Sequence, residues 1–279
     1  MKRTVVIVLV LALVSLAVLT GCGGKKQADA ASSEKVLRVG MECGYAPYNW
    51  TQSTDENGAV PIKDSESFAN GYDVMIAKYL ADKMGYQLEV QKIDWDSLPI
   101  AVQSGKIDCV IAGQSITAER LQTVDFTTPY YYASIIAVTK ADGPYASAQT
   151  VADLKGATVT SQLNTVWYDV CIPQIPEANI LPAMESAPAM WVALDAGKCD
   201  VIVSDEPAAL GAAAAYSDFV LLDLSAGDFT VSDEEVNIGI SVKKGNTDLL
   251  GALNEGLATL TTDDFTRLMQ EAIALSAQL

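Results

Sequence analysis

The sequence contains no histidine in 279 residues. That absence removes Ser-His-Asp and Cys-His catalysis, His-ligated zinc and any imidazole pH switch. Basic residues are scarce as well: 18 Lys and Arg stand against 35 Asp and Glu, a net charge of −17. Such a surface is a poor match for nucleic acid, whose phosphates need clustered Lys and Arg. No CxxC pair occurs among the five cysteines, which argues against a zinc ribbon or a thioredoxin-like motif. The apolar run over 5–19, broken only by Ser15, is shorter than the ~20 residues that cross hydrocarbon. What remains is half hydrophobic and only 19% charged, a core-forming composition at a length that suits one large domain or two lobes.

Lys2 and Arg3 precede the apolar run, as in a signal peptide. The run ends at Leu19-Thr20-Gly21-Cys22, which is similar to the bacterial lipobox, in which the cysteine is diacylated and becomes the mature N-terminus. Residues 1–21 are therefore expected to be a lipoprotein signal peptide and 22–35 a flexible spacer, leaving the protein tethered outside the cell membrane by lipidated Cys22. An ordinary cleaved signal with an incidental cysteine is the plainer alternative. Of the other cysteines, Cys171 and Cys199 fall in one lobe and are the best candidates for a disulfide. Cys109 opens an apolar strand as a core residue.

From residue 36 strand-like and helix-like segments alternate, the pattern of an α/β fold with mainly parallel sheets. The first strand is expected over 36–40. Asp73 can cap a helix running to Met84, with Val74, Ala77, Leu80 and Ala81 on one side and Gly85 as its stop. Strands over 87–93 and 109–112 flank a helix over 98–104. The pattern restarts with strands over 158–161, near 179–181 and over 201–204, and helices over 166–171, 188–196 and 207–216. A strand over 237–242 and helices over 247–260 and 263–275 close the chain. Residues 101–111 and 193–203 share one construction: a helix end, Gly105 or Gly197, Lys106 or Lys198, Asp108 or Asp200, then a buried strand. Two lobes of like build are one reading of this echo; common helix-to-strand chemistry is the other. Crossings over 134–138 and near 235–238 would divide the chain into lobe 1 (36–133 with 237–279) and lobe 2 (134–236), a hinged clamshell.

In open parallel sheets ligands sit beyond the carboxyl ends of the strands. Those positions offer Glu42, Cys43, Tyr45 and Trp50 after the first strand, Trp95 and Asp96 after the second, and Gly113 to Arg120 after the third. Lobe 2 offers Gln162, Asn164, Thr165, Asp205 and Glu206. Thr117 as a helix cap would place Arg120 in the first turn, where a guanidinium fork and free N–H groups suit a carboxylate. Asp205 could take an ammonium group across the cleft, with Ser115 beside the carboxylate and Tyr45, Trp50 and Trp95 as walls. Together they complement a zwitterion. Plainer roles exist for each: Arg120 paired with Glu119 or Asp125, Asp205 as a helix cap, the aromatics as core.

Tyr45-Ala46-Pro47-Tyr48, Gly71-Tyr72-Asp73-Val74, Trp95-Asp96, the stretch from Gln103 to Asp108, Ile116-Thr117-Ala118-Glu119-Arg120 and the stretch from Val124 to Tyr131 follow one another in order. In that order, over 36–273 and behind a lipobox, the chain resembles the family 3 extracellular solute-binding proteins, the polar amino-acid receptors of ABC importers. The resemblance implies a two-lobe, type II periplasmic-binding-protein-like α/β clamshell, each lobe a mostly parallel sheet flanked by helices. It also implies that Arg120 grips a ligand carboxylate, that Asp205 takes the amine, and that Tyr45, Trp95, Gly113, Ser115, Asn164 and Thr165 line the site. Glu42 matches the acidic position that meets the ligand side chain in cation- and amide-binding relatives. Asn164 stands where the family usually has glycine, Leu98-Pro99-Ile100 inverts the usual order, and 51–70 is a longer insertion than usual. Cys43 reads as a bystander beside the pocket.

The implied protein is a monomeric, lipid-anchored receptor without a cofactor, handing a free amino acid to an ABC permease with a cytoplasmic ATPase. Glu42 favours a basic or amide side chain, although Trp50 and Trp95 leave room for an aromatic or apolar one. Two alternatives stand beside it: a small-acid dehydratase-like enzyme using Glu42, Glu206 or Asp96 as general acid, for which the sequence shows no nucleophile with a positioned base, and a sensor that docks to a signalling protein.

Overall fold

The computed structural model describes residues 35–279. The expected signal peptide, Cys22 and spacer residues 22–34 lie outside the described residues. Among the described residues no helix is long and apolar enough to cross a membrane.

The chain begins with β1 (Val36–Met41), whose Leu37, Val39 and Met41 are buried. The short strands β2 (Gly44–Tyr45), β3 (Asn49–Gln52), β4 (Val60–Pro61) and β5 (Phe68–Asn70) form a small antiparallel sheet, so much of the 51–70 insertion has structure of its own. Helix α1 (Tyr72–Met84) buries Val74, Ile76, Ala77, Leu80 and Ala81, and Gly85 ends it. Its N-cap is Gly71; Asp73 lies inside the first turn, buried, and is not a cap. Then come β6 (Gln87–Lys92), α2 (Leu98–Ser104), β7 (Cys109–Val110), β8 (Val124–Phe126) and β9 (Tyr131–Tyr132). The second half contains β10 (Ile135–Lys140), β11 (Thr158–Thr160), β12 (Asn179–Ile180), α3 (Ala187–Asp195), β13 (Val201–Asp205), α4 (Glu206–Ala215) and β14 (Phe219–Leu222). The expected helix over 166–171 is a single wide turn, Trp167–Cys171. The chain closes with α5 (Asp233–Val236), β15 (Asn237–Ile238), β16 (Ser241–Lys243), α6 (Thr247–Leu257) and α7 (Thr262–Ser276).

The expected strand over 237–242 divides in two because its backbone changes partner. β15 pairs antiparallel with β9, and β16 enters the first sheet between β7 and β8. Between them the Gly239 N–H donates to the Gln114 carbonyl (3.0 Å) and the Ile240 N–H to Thr127 Oγ1 (3.0 Å).

Two five-stranded sheets carry the lobes, in the orders β6-β1-β7-β16-β8 and β12-β11-β13-β10-β14. In each, the first three strands are parallel and the fourth runs antiparallel to its neighbours. The echoed residues lead into the third strand of each sheet and repeat one hydrogen-bond clamp. The Asp108 N–H donates to the Arg38 carbonyl while its carboxylate accepts from the Arg38 N–H (2.8 Å each). The Asp200 N–H donates to the Thr158 carbonyl (2.7 Å) while its carboxylate accepts from the Thr158 N–H (2.8 Å).

The expected Cys171–Cys199 disulfide is not formed: Cys43, Cys109, Cys171 and Cys199 are all free and buried. Burial pushes the thiols of Cys171 and Cys199 up to about 12, which withholds the thiolate that disulfide exchange requires.

Candidate functional site

The loop after β1 turns back on itself through Asn49. Its Oδ1 accepts the Cys43 N–H (2.7 Å), and its Nδ2 donates to Asp73 Oδ2 (2.8 Å). The other Asp73 oxygen accepts the Tyr130 hydroxyl (2.7 Å), which in turn accepts the Gly113 N–H (3.2 Å). One buried carboxylate therefore ties together the two loops that carry Tyr45 and Gly113. Burial raises the Asp73 carboxyl to about 6, against the pull of those hydrogen bonds. Gly113 sits at φ +60°, and a Cβ there would lie 2.8 Å from the Tyr45 ring. The close approach of ring to backbone excludes any larger residue.

Arg120 opens a short turn, Arg120–Gln122, with its N–H on Thr117 Oγ1 (3.3 Å). The expected helix mouth is thus a single 3₁₀ turn. The guanidinium donates to the Ser115 carbonyl (2.9 Å) and, across the cleft, to the Asn164 carbonyl (2.7 Å), and it lies 5.4 Å from the centre of the Trp95 ring. It makes no ion pair with any of the described residues, and burial lowers its pKa to about 10. Asn164 holds the left-handed conformation at φ +56° that glycine usually supplies, a conformation asparagine tolerates. The family departure at this position therefore keeps the backbone turn.

Asp205 caps α4 by accepting the Ala208 N–H (3.0 Å), and its other oxygen accepts the Tyr45 hydroxyl from the opposite lobe. It is 1% exposed, and burial pushes its carboxyl up to about 7. Glu42, 8% exposed, accepts two hydrogen bonds from Gln162 Nε2 (3.3 and 3.2 Å), and burial raises its pKa. Trp95 Nε1 donates to the Leu163 carbonyl (3.1 Å). These cross-cleft bonds hold the two lobes shut around a cavity of about 20 Å³, the space of one water-sized group.

Glu42, Tyr45, Trp95, Gly113, Ser115, Arg120 and Thr165 all line that cavity. Asn164 contributes its carbonyl from the outer side, and Asp205 lies one hydroxyl behind Tyr45. Trp50 does not line it: the indole is buried in β3 with its Nε1 donating to Gln52 (3.3 Å). Cys43 is buried, its thiol pushed up to about 12, and is absent from the lining. Gln162, Val166 and Trp167 complete the walls. Gln162 had a signal in its place just past β11; Val166 and Trp167 read as ordinary helix interior.

The chain can be compared with known proteins on this geometry. It is 28% identical to the L-cystine-binding protein TcyJ of Escherichia coli (strain K12) over 92% of this chain and 91% of that one. It is 34% identical to the arginine-binding extracellular protein ArtP of Bacillus subtilis (strain 168), over 53% of this chain and about half (51%) of ArtP. Among solved structures, an amino acid ABC transporter substrate-binding protein from Streptococcus pneumoniae bound to L-arginine superposes with a TM-score of 0.74 at 25% identity, covering 86% of this chain and 94% of that one. Residues 37–273 match the bacterial extracellular solute-binding proteins, family 3, and the chain belongs to that family.

Proposed function

We propose that this protein is the lipid-anchored, extracytoplasmic receptor of an ABC importer, that it closes its lobes on a free amino acid with a basic or amide side chain, and that L-arginine is the first ligand to test. The observation that carries this reading is Arg120, a half-buried cation with no ion pair among the described residues, facing a cavity that also holds the Glu42 carboxyl group. A partly desolvated guanidinium without a counter-charge is at a disadvantage, so a ligand carboxylate is its natural complement. Asp205 and Glu42 then offer acceptors to an α-ammonium group and to a guanidinium or amide. The relatives named for arginine binding support this choice. Because the cavity is small, ligand entry requires the lobes to part, and the hinge pair β9–β15 is where the two crossings run side by side. Monomer state, anchoring at Cys22 and delivery to a permease with its ATPase follow from the same reading.

Thermal unfolding with each of the twenty amino acids tests the proposal. A ligand at about 100 times its Kd adds roughly 2.7 kcal/mol, a rise of about 5–10 °C. L-Arginine is expected to raise the midpoint; silence from all twenty rejects the receptor reading. Glu42→Gln is expected to weaken L-arginine binding roughly 10-fold or more while leaving L-glutamine within a few-fold, by calorimetry. Equal losses for both ligands would remove Glu42 from side-chain selection.

The buried carboxyl groups set a pH dependence. Asp205, Asp73 and Glu42 all have pKa values raised in the folded chain, to about 7 for Asp205 and about 6 for Asp73. Each favours folding in its protonated form, so its contribution is complete below about pH 4; that of Asp73 is lost as pH rises through about 6 and that of Asp205 through about 7. The unliganded midpoint should therefore fall between pH 5 and pH 8. The ligand-induced rise should grow over the same interval, because the ammonium group meets an ionised Asp205 only above about pH 7. A ligand shift that is larger at pH 5.5 than at pH 8 would contradict the Asp205 assignment.

A further inference from the structure

The 51–70 insertion takes no part in the amino-acid cavity, and it holds both Asn-Gly pairs of the chain, Asn57-Gly58 and Asn70-Gly71. In such a pair the backbone nitrogen of glycine can attack the asparagine side-chain carbon, because no Cβ shields it and the backbone turns freely. The fold treats the two pairs in opposite ways. Asn70 is 1% exposed and its amide is held on every side. Its Nδ2 donates to Gln52 Oε1 (3.2 Å) and to the Asn57 carbonyl (3.3 Å), and its Oδ1 accepts the Gly71 N–H (2.8 Å). Gly71 itself is crowded against the Pro47 and Tyr48 carbonyls and has no room to turn. Asn57 and Gly58 are exposed, in the single turn Glu56–Gly58, at φ +56° and +77°. Among the described residues nothing makes a hydrogen bond to the Asn57 side-chain amide. A short exposed turn of this kind opens locally at little cost. Lys78 Nζ donates to the Gly58 carbonyl (2.7 Å), and a cation set against Gly58 favours loss of its amide proton.

We propose that Asn57-Gly58 is a self-modification site, at which the folded protein loses ammonia and, with water, converts Asn57 to a mixture of isoaspartate and aspartate. The Gly58 nitrogen gives its proton to solvent and bonds to Asn57 Cγ. The Cγ–Nδ2 bond breaks, and Nδ2 takes a proton from water and leaves as ammonia. Water then opens the cyclic imide. Breaking the new bond to Cγ restores the ordinary chain with aspartate at position 57. Breaking the bond to the α-carbonyl carbon leaves the chain running through the side chain, as isoaspartate. The sum is one water consumed and one ammonia released, with no oxidation or reduction. Either product places a carboxylate near Lys78, and isoaspartate also takes the Asn57 carbonyl out of the main chain that meets Asn70. Asn70 is spared by its hydrogen bonds, so the fold selects one of two chemically equal pairs.

Ageing the purified protein at about 37 °C and pH 8, then mapping its tryptic peptides by mass, tests the inference. Cleavage after Lys63 puts Asn57 and Asn70 on different peptides. Each conversion adds about 1 Da, and a protein-isoaspartate methyltransferase labels the isoaspartate fraction. In the folded chain the gain at Asn57 is expected at least 10-fold faster than at Asn70. In about 6 M urea, where the hydrogen bonds of Asn70 are gone, the two rates should come within about 3-fold. Asn57→Gln should abolish the folded-state gain, because its longer side chain closes a less favourable ring. No gain at Asn57 in the folded chain, over a time in which the unfolded chain converts, overturns the proposal. Equal folded-state rates at Asn57 and Asn70 overturn it as well. The measurement uses no ligand, so its failure leaves the amino-acid site judged on its own.

Discussion

Arg120→Ala is expected to weaken amino-acid binding by roughly 30-fold to several-thousand-fold, the equivalent of about 2–5 kcal/mol for losing one partner of a buried charge pair. The reasoning is geometric. The guanidinium spends two N–H donors on the Ser115 and Asn164 carbonyls, which fix its plane beside the Trp95 ring, and turns the rest of its fork to the cavity. Lysine cannot reproduce two anchoring bonds and a bidentate grip at once, so Arg120→Lys should recover little affinity. Stability without ligand should change far less, because the substitution also removes a desolvated charge. Calorimetry with L-arginine checks this; affinity within 3-fold of the parent in Arg120→Ala would place the carboxylate clamp elsewhere.

Gly71→Ala should be the most damaging single methyl group in the chain. Gly71 sits at φ +123°, a region open to little but glycine, and a Cβ there would meet the Tyr48 carbonyl oxygen at 2.4 Å and the Pro47 carbonyl oxygen at 2.9 Å. Neither can yield easily. The Tyr72 N–H donates to Pro47 (3.0 Å) and the Asp73 N–H to Tyr48 (2.8 Å), so those carbonyls dock the start of α1 onto the loop that carries Tyr45. Backbone strain and crowding together cost roughly 3–5 kcal/mol, a fall of about 10 °C or more in melting temperature. Gly251→Ala in α6 is the contrast, because that Cβ would face open space and should stabilise by up to about 1 kcal/mol. Equal midpoints for the two variants would contradict the docking role of Gly71.

Local chemistry was readable where the signal was local. Gly85, Gly105 and Gly197 mark helix ends in sequence and in structure, and the echo around Asp108 and Asp200 became the same backbone clamp in both sheets. The rule that sites collect past strand ends brought out Glu42, Tyr45, Trp95, Gly113, Ser115, Arg120 and Thr165, all of which share one cavity. Asp73 was misread because a carboxylate at a helix start is ordinarily a cap; only the folded chain brings Asn49 and Tyr130 to it. Trp50 looked like a pocket wall by its place after β1, yet it is buried in β3 and absent from the cavity lining. The disulfide expectation rested on two thiols sharing a lobe, and sequence says nothing of whether their side chains meet.

The place of β16 in its sheet bears on how the chain is made. Among the described residues β8 has no other strand neighbour in that sheet, and β16 alone joins it to β7. A chain emerging from the ribosome, or threading through an export pore, therefore carries β8 unpaired until more than a hundred further residues have followed. The second sheet, whose strands all lie between residues 135 and 222, has every partner in hand long before that. One half of the molecule can thus mature during synthesis, while the other stays an open template that the last segment must seal.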